Sequence, residues 1–316
     1  MAGYLLRRTA EIIFVLLLLS FCIYGLIGLM PGDPIDLMIN ADPDLTTEDA
    51  QRLKALLGLE RPIHERYLAW LGQALNGDFG YSRLFSQPVL ELMGPRLWNS
   101  VLLMGLSLAL ALAIALPLGI IAAARRHGLF DGLVNLFAFA GISVPPFWLA
   151  ILLILLFAVT LGWLPASGMG DSGDPWWARA RYLVLPVMAL TLASVGGFLR
   201  FTRASVAEAA RQDYVRTAAA KGLSERRILL GHVLRNAMIP VVTVVALNFG
   251  TLFSGALITE TIFGWLGMGK TIYDAIMGSD YNLALAGLLF AAAVTLIANL
   301  LADLAYAWLD PRITYR

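Results

Sequence analysis

Charge is scarce in this chain. Only 14% of its 316 residues are Asp, Glu, Lys or Arg, where soluble domains carry about 25%. That shortage excludes an ordinary water-soluble globule, and a hydrophobic share of 59% points to a bilayer as the surrounding medium. Cysteine occurs once, as Cys22, so no disulfide framework can form within the chain. Histidine occurs as His64, His127 and His232, far apart in sequence, and with a single cysteine they make no recognisable metal site. No nucleophile, base or metal cluster supports an enzyme, and no nucleic-acid partner is expected.

What is present is long apolar runs. A helix needs about 20 predominantly apolar residues to cross a hydrocarbon core of ~30 Å, and six runs qualify: residues 9–30, 97–124, 133–161, 182–201, 238–259 and 283–309. The fold class expected is an all-α integral membrane protein with six transmembrane helices. The third run contains Val144-Pro145-Pro146, and proline removes a backbone donor and clashes one turn back, so a kink or break is expected there. The first run follows Arg7-Arg8 and resembles a signal peptide at its start. It is long, lacks a small-residue cleavage site and leads into Pro31-Gly32-Asp33-Pro34, so a retained helix is expected. The chain divides into 1–30 (N-terminal segment and first helix), 31–96 (a long outer loop with short amphipathic helices) and 97–316 (a five-helix core including a polar loop at 202–237).

Six spans put both termini on one side. That side carries 14 of the 23 basic residues and 6 of the 22 acidic ones. The opposite side carries 9 basic and 15 acidic residues, and Asp303 is left within the last run. Positive charge stays in the cytoplasm during insertion. Both termini are therefore expected to be cytoplasmic, together with the loop between the fourth and fifth helices.

The stretch GWLGMGKT, 264–271, fits the phosphate-cradling pattern G-x-x-x-x-G-K-[ST]. On this topology it lies outside, in a connection too short for the α/β domain in which such loops work. The expectation is a glycine-rich re-entrant or interfacial turn that binds no nucleotide, with Trp265 at headgroup depth.

Two loops carry more information. In the outer loop, Thr46 or Thr47 can cap a helix over 48–57, and Pro62 can start another that Gly77 closes, with Ile63, Tyr67, Trp70, Leu71 and Leu75 at helical spacing. Such helices can lie on the membrane or receive an outside partner, and Tyr67, Trp70, Asp78 and Phe79 are the docking candidates. The cytoplasmic loop is different. Residues 203–221 are Ala-rich and helix-favouring, Gly222 interrupts them, and Ser224 can cap a second helix with Ile228, Leu229 and His232 on one face. Insertion or lipid contact requires only charge. A helix–glycine–helix held between two spans suits a rigid knob that fits a partner's groove.

At these residues the chain resembles the permease subunits of ABC importers for dipeptides, oligopeptides, nickel and glutathione. The resemblance rests on DYVRTAAAKGLSERRILLGHVLRNAMIP at 213–240, YLLRR and LMPGDP within 4–34, and LGLERPIHERYLAWL and NGDFG within 57–80. It extends through SVPPFWL at 143–149, LGWLPASG at 161–168, ETIFGWLGMG at 260–269 and DLAYAWLDPRITY at 303–315, in the same order along essentially the whole chain. Arg216-Thr217-Ala218 stands where the wider superfamily has Glu-Ala-Ala, and Pro240 comes later than in the general pattern. Both differences look like the peptide and nickel branch, and they leave contacts made by the missing glutamate without a carrier.

The resemblance implies a mechanism. Two similar permeases, expected to be a heterodimer, would form the path in the bacterial inner membrane, amid lipid. Two cytoplasmic ATPases would bind ATP and magnesium, while this chain binds no cofactor and no metal. An outer binding protein would deliver the substrate. The coupling segment would comprise Arg216, Thr217, Ala218, Ala219, Ala220, Lys221, Gly222, Leu223, Ser224 and Glu225, and Lys270-Thr271 would be incidental.

Path candidates are Asn248, Thr251 and Ser254 on the fifth span and Asn299 and Asp303 on the sixth. Each has a structural alternative. Gly250-xxx-Ser254 is also a close-packing pattern, and Asp303 could pair with Arg200 or Arg203. A di- or oligopeptide substrate is expected, with nickel or glutathione import as the alternative within the family. A proton-coupled carrier acting alone would be expected to show inverted repeats and paired intramembrane acids, which are not evident.

Overall fold

The computed structural model describes the backbone of residues 2–28, 61–171 and 173–309, and their side chains except those of 2, 4, 5, 246–255, 302 and 305–309. The amphipathic segment expected at 48–57 lies outside the described residues. In chain order the elements begin with α1 (Ala2–Gly28), α2 (Ile63–Leu75), the hairpin β1 (Tyr81–Ser82) and β2 (Gln87–Pro88), α3 (Val89–Ala124), α4 (Leu129–Ser143) and α5 (Pro146–Leu153), which runs on as a π-helix through Ile154–Thr160. They continue with α6 (Trp176–Ala209), α7 (Asp213–Ala220), α8 (Glu225–Ile228), a π-helical turn (Leu229–Val233), α9 (Leu234–Ile262), α10 (Met268–Met277) and α11 (Tyr281–Leu309).

Among the described residues, five stretches are long and apolar enough to cross a membrane: Leu6–Gly28, Val89–Ala124, Trp176–Ala209, Glu225–Val245 and Tyr281–Leu301. The sixth expected span falls on the pair Leu129–Ser143 and Pro146–Thr160, which is bent by 99°, the geometry of a broken span or a re-entrant loop. The break has a local cause. Val144 precedes a proline and is extended (φ −90°, ψ 124°), Pro145 is extended (φ −60°, ψ 135°), and Pro146 opens the next helix. α3 and α6 have 36 and 34 residues, which at ~1.5 Å per residue exceeds a ~30 Å core, so both project beyond it.

The chain forms two compact units, Met1–Leu97 with Thr271–Ala293, and Trp98–Lys270 with Val294–Arg316. In the first, α2 lies on α1. The Tyr67 hydroxyl bonds Ser20 Oγ at 2.7 Å, and Phe21, Tyr24, Tyr67, Trp70 and Phe79 form a chain of ring contacts. Asp280 is buried and ties the hairpin to the start of α11, accepting from Ser82 Oγ at 2.6 Å, Leu84 N at 3.0 Å and Leu283 N at 3.2 Å.

The second unit packs through small residues. Ala111, Ala115 and Ala122 of α3 meet Val134 and Ala138 of α4 and Phe198 and Leu199 of α6. A Cβ on Gly196 would stand 2.5 Å from the Ala138 carbonyl oxygen, so α4 and α6 approach as closely as backbones allow. Asp131, 4% exposed, accepts a two-toothed ion pair from Arg203 at 2.5 and 2.7 Å, with further bonds from His127 N and Asn135 Nδ2. This corrects the expectation for Arg203, whose fork is given to Asp131 rather than Asp303. The Arg200 guanidinium lies over the Phe139 ring, 4.3 Å from its centre.

Candidate coupling site

The polar loop folds as two short helices around a glycine turn. α6 ends at Ala209 rather than running on to Lys221, because Gln212 is extended (φ −71°, ψ 151°) and α7 starts anew at Asp213. At the end of α7, Gly222 takes φ +79°. Its N–H bonds Ala219 O at 2.9 Å, and Leu223 N–H reaches back to Ala218 O at 3.4 Å. These are the two bonds of a Schellman cap, which needs a left-handed residue where Gly222 stands. A Cβ on Gly222 would meet nothing within 4 Å, so the requirement is conformational, not steric crowding.

The cap sorts the segment into two faces. Ala218 and Leu223 turn inward onto Val206, Ala209, Ile228, Val233 and Ala237, the apolar contact that accompanies such a cap. Arg216, Thr217, Ala219, Ala220, Lys221, Gly222, Ser224 and Glu225 are exposed. Ala218 and Leu223 thus anchor the knob instead of forming its surface. Ser224 occupies the N-cap position of α8 (φ −65°, ψ 149°) but makes no side-chain capping bond, and only its carbonyl accepts, from Ile228 N at 3.0 Å. His232 is exposed. The π-helical turn rotates the inward face onto Ile228, Leu229 and Val233. Ser205 Oγ bonds Ala237 O at 2.7 Å, fixing α6 to α9 beneath the knob.

The model of the family described as "Binding-protein-dependent transport system inner membrane component" matches residues 115–315, which contain this loop. The chain belongs to that family. A second model, "Binding-prot-dependent transport system membrane comp, N-term", matches residues 1–91. The permease is 37% identical over 318 residues to the oligopeptide transport system permease protein AppB of Bacillus subtilis, covering 100% of both chains. It is 35% identical to the di/tripeptide transport system permease protein DppB of Pseudomonas aeruginosa and to the glutathione transport system permease protein GsiC of Escherichia coli, again over 100% of each chain. In fold it is similar to the inward-facing MetNI methionine ABC transporter, with a TM-score of 0.56 at 16% identity over 70% of this chain and 97% of that one. It is thus a multi-pass inner-membrane permease component of a binding-protein-dependent transport system, with the fold of an ABC importer's membrane subunit.

The remaining candidates in the permease are scattered. Asn299 and Asp303 are half-buried on α11, while the side chains of Asn248, Thr251 and Ser254 lie outside the described residues. Among the docking candidates, Tyr67 is buried against α1, so its ring and hydroxyl serve packing and leave no surface for a partner. Trp70 and Phe79 are half-buried in the same aromatic chain, and Asp78 is exposed with its carboxylate on Gly80 N at 2.8 Å.

In the GWLGMGKT turn, Trp265 is 3% exposed and donates its indole N–H to Asn99 O at 3.1 Å. A buried indole needs such a partner, and the ring is enclosed by protein instead of being presented to lipid. Sequence reasoning missed Asp131, Asp280 and Glu260 as buried carboxylates. Glu260 had a usable signal, since glycines spaced to hold an anion raise the question of which anion they hold.

Proposed function

We propose that this permease is one of two subunits that form the path of an importer for short peptides, and that residues 216–225 transmit the ATPase cycle to it. The observation that carries the reading is the rigid exposed knob within a chain similar over its full length to peptide permeases. The termini and the knob face the cytoplasm on this reading, consistent with the basic bias of that side. Two ATPases bind and hydrolyse ATP with magnesium, and each receives one such knob in a groove. Small exposed residues, Ala219, Ala220 and Gly222, permit close backbone approach, while Arg216 and Lys221 meet a polar rim. Exposed ion pairs there contribute only about 0–1 kcal/mol each, so shape dominates the fit.

The cycle then needs no chemistry from the permease. Closure of the ATPases displaces the knobs. Because Ala218 and Leu223 anchor each knob on α6, α8 and α9, the displacement passes into the spans. Asn248, Thr251, Ser254, Asn299 and Asp303 remain the path candidates, and a binding protein outside supplies substrate. Full-length similarity to GsiC supports glutathione, itself a tripeptide, as a second reading. The test is purification under mild detergent: the permease should carry a second permease and two ATPases in fixed ratio, and binding studies on the cognate binding protein should favour peptides over nickel. A permease that purifies alone and transports by itself would reject the reading.

A further inference from the structure

The turn that imitates a phosphate loop does enclose an acidic side chain, and that side chain belongs to the protein itself. Glu260, near the end of α9, is fully buried. Its Oε1 accepts a short hydrogen bond from Ser100 Oγ on α3, and its Oε2 accepts from Lys270 N at 3.1 Å. The Gly269 backbone closes on the same carboxylate, since a Cβ there would stand 3.0 Å from Glu260 Oε2. Ser100 Oγ in turn accepts from Met268 N at 2.8 Å, so its hydroxyl is used in both directions. A Cβ on Gly267 would fall within the carboxylate itself. The glycine spacing thus exists to bring backbone against Glu260. The first N–H groups of α10 have no partner in their own helix, and the carboxylate and the serine hydroxyl supply one.

Three elements meet at this point: α3 at Ser100, α9 at Glu260 and α10 at Met268–Lys270. A buried polar network in which these groups satisfy one another is rigid, and removing one member strands the others. The same region is pinned by Trp265 and by Gly168 N on Phe263 O at 2.8 Å.

We propose that Glu260 is a positioning residue for transport, clamping the start of α10 to α3 and α9 so that these three ends move as one piece. The proposal rests on the importer reading, under which this end faces outward. A transporter must shut one side of its path before opening the other. With the clamp released, the outer ends of α3 and α9 no longer follow the cycle together, and hydrolysis proceeds without import.

The test uses the full complex in vesicles with its binding protein, reading ATP-dependent uptake of labelled tri-alanine against phosphate released. Glu260→Ala should lower uptake per phosphate at least tenfold while hydrolysis persists. Glu260→Gln, which keeps the volume and one acceptor oxygen, should recover part of the loss. Gly267→Ala should reproduce the Glu260→Ala defect, and the double variant should be no worse than either single one. Multiplying defects, or an unaltered ratio in Glu260→Ala, would overturn the clamp. Should Glu260→Ala not assemble, Ser100→Ala carries the same readout. Lack of uptake by the unaltered complex would instead reject the proposed function, and hydrogen exchange then decides the clamp. Ser100→Ala must speed exchange at the 268–270 amides at least tenfold, and unchanged exchange there refutes it.

Discussion

Replacing Gly222 isolates what the coupling knob requires. Nothing lies within 4 Å of where a Cβ would be, and the backbone sits at φ +79°. A Cβ at Gly222 therefore meets no clash, and Gly222→Val acts chiefly through the left-handed conformation, which costs a non-glycine residue about 1–2 kcal/mol. β-Branched residues are worst there, whereas Asn tolerates it. If the valine leaves this conformation, the Gly222–Ala219 and Leu223–Ala218 bonds and the Leu223 anchor go with it. A penalty of 1–2 kcal/mol shifts the population of the formed knob by a factor of about 5–30. The assay is a titration of purified ATPases against the permease pair in nanodiscs, with membrane insertion checked separately. Gly222→Val should weaken ATPase binding roughly 5- to 30-fold, and Gly222→Asn should recover most of that loss. Wild-type binding by an inserted Gly222→Val, or an equal defect in Gly222→Asn, would refute the assignment of the knob.

Other expected outcomes follow from single contacts. Lys270→Ala should leave nucleotide affinity and ATP-driven uptake by the complex intact, because the bond to Glu260 comes from the Lys270 backbone N–H, which alanine keeps; loss of ATP binding would contradict this. Arg203→Ala strands the buried Asp131 carboxylate and should cost about 3–5 kcal/mol, read as a lowered melting temperature in detergent. The Arg203→Ala/Asp131→Ala double variant should melt higher than Arg203→Ala alone. Gly196→Ala drives a methyl toward the Ala138 carbonyl and should destabilise by about 1–3 kcal/mol through forced separation of α4 and α6, measured in the same melt.

The spans were legible because hydropathy over about 20 residues is a collective signal, and the break at Val144-Pro145 because proline acts on its own neighbours. Gly222 was legible for the same local reason. The inward turn of Ala218 and Leu223 was implicit in the apolar residue that follows Gly222, since a Schellman cap brings those two positions together. The π-helical turn that exposes His232 was not, because a single inserted residue in a helix leaves no periodicity to detect. Buried carboxylates were the hardest. Asp131, Asp280 and Glu260 lie near the ends of apolar runs, where acidic residues are ordinarily solvated, and their partners Arg203, Ser82 and Ser100 are 72, 198 and 160 residues away. Only the folded chain brings them together.

The reading of the chain as an ATP-driven importer subunit is tested most directly by the energy source. The purified complex with its binding protein is reconstituted into vesicles carrying a proton gradient, and peptide uptake is followed with and without ATP. Uptake should require ATP and stop on its removal while the gradient remains. Uptake that persists without ATP and collapses with the gradient would contradict the reading.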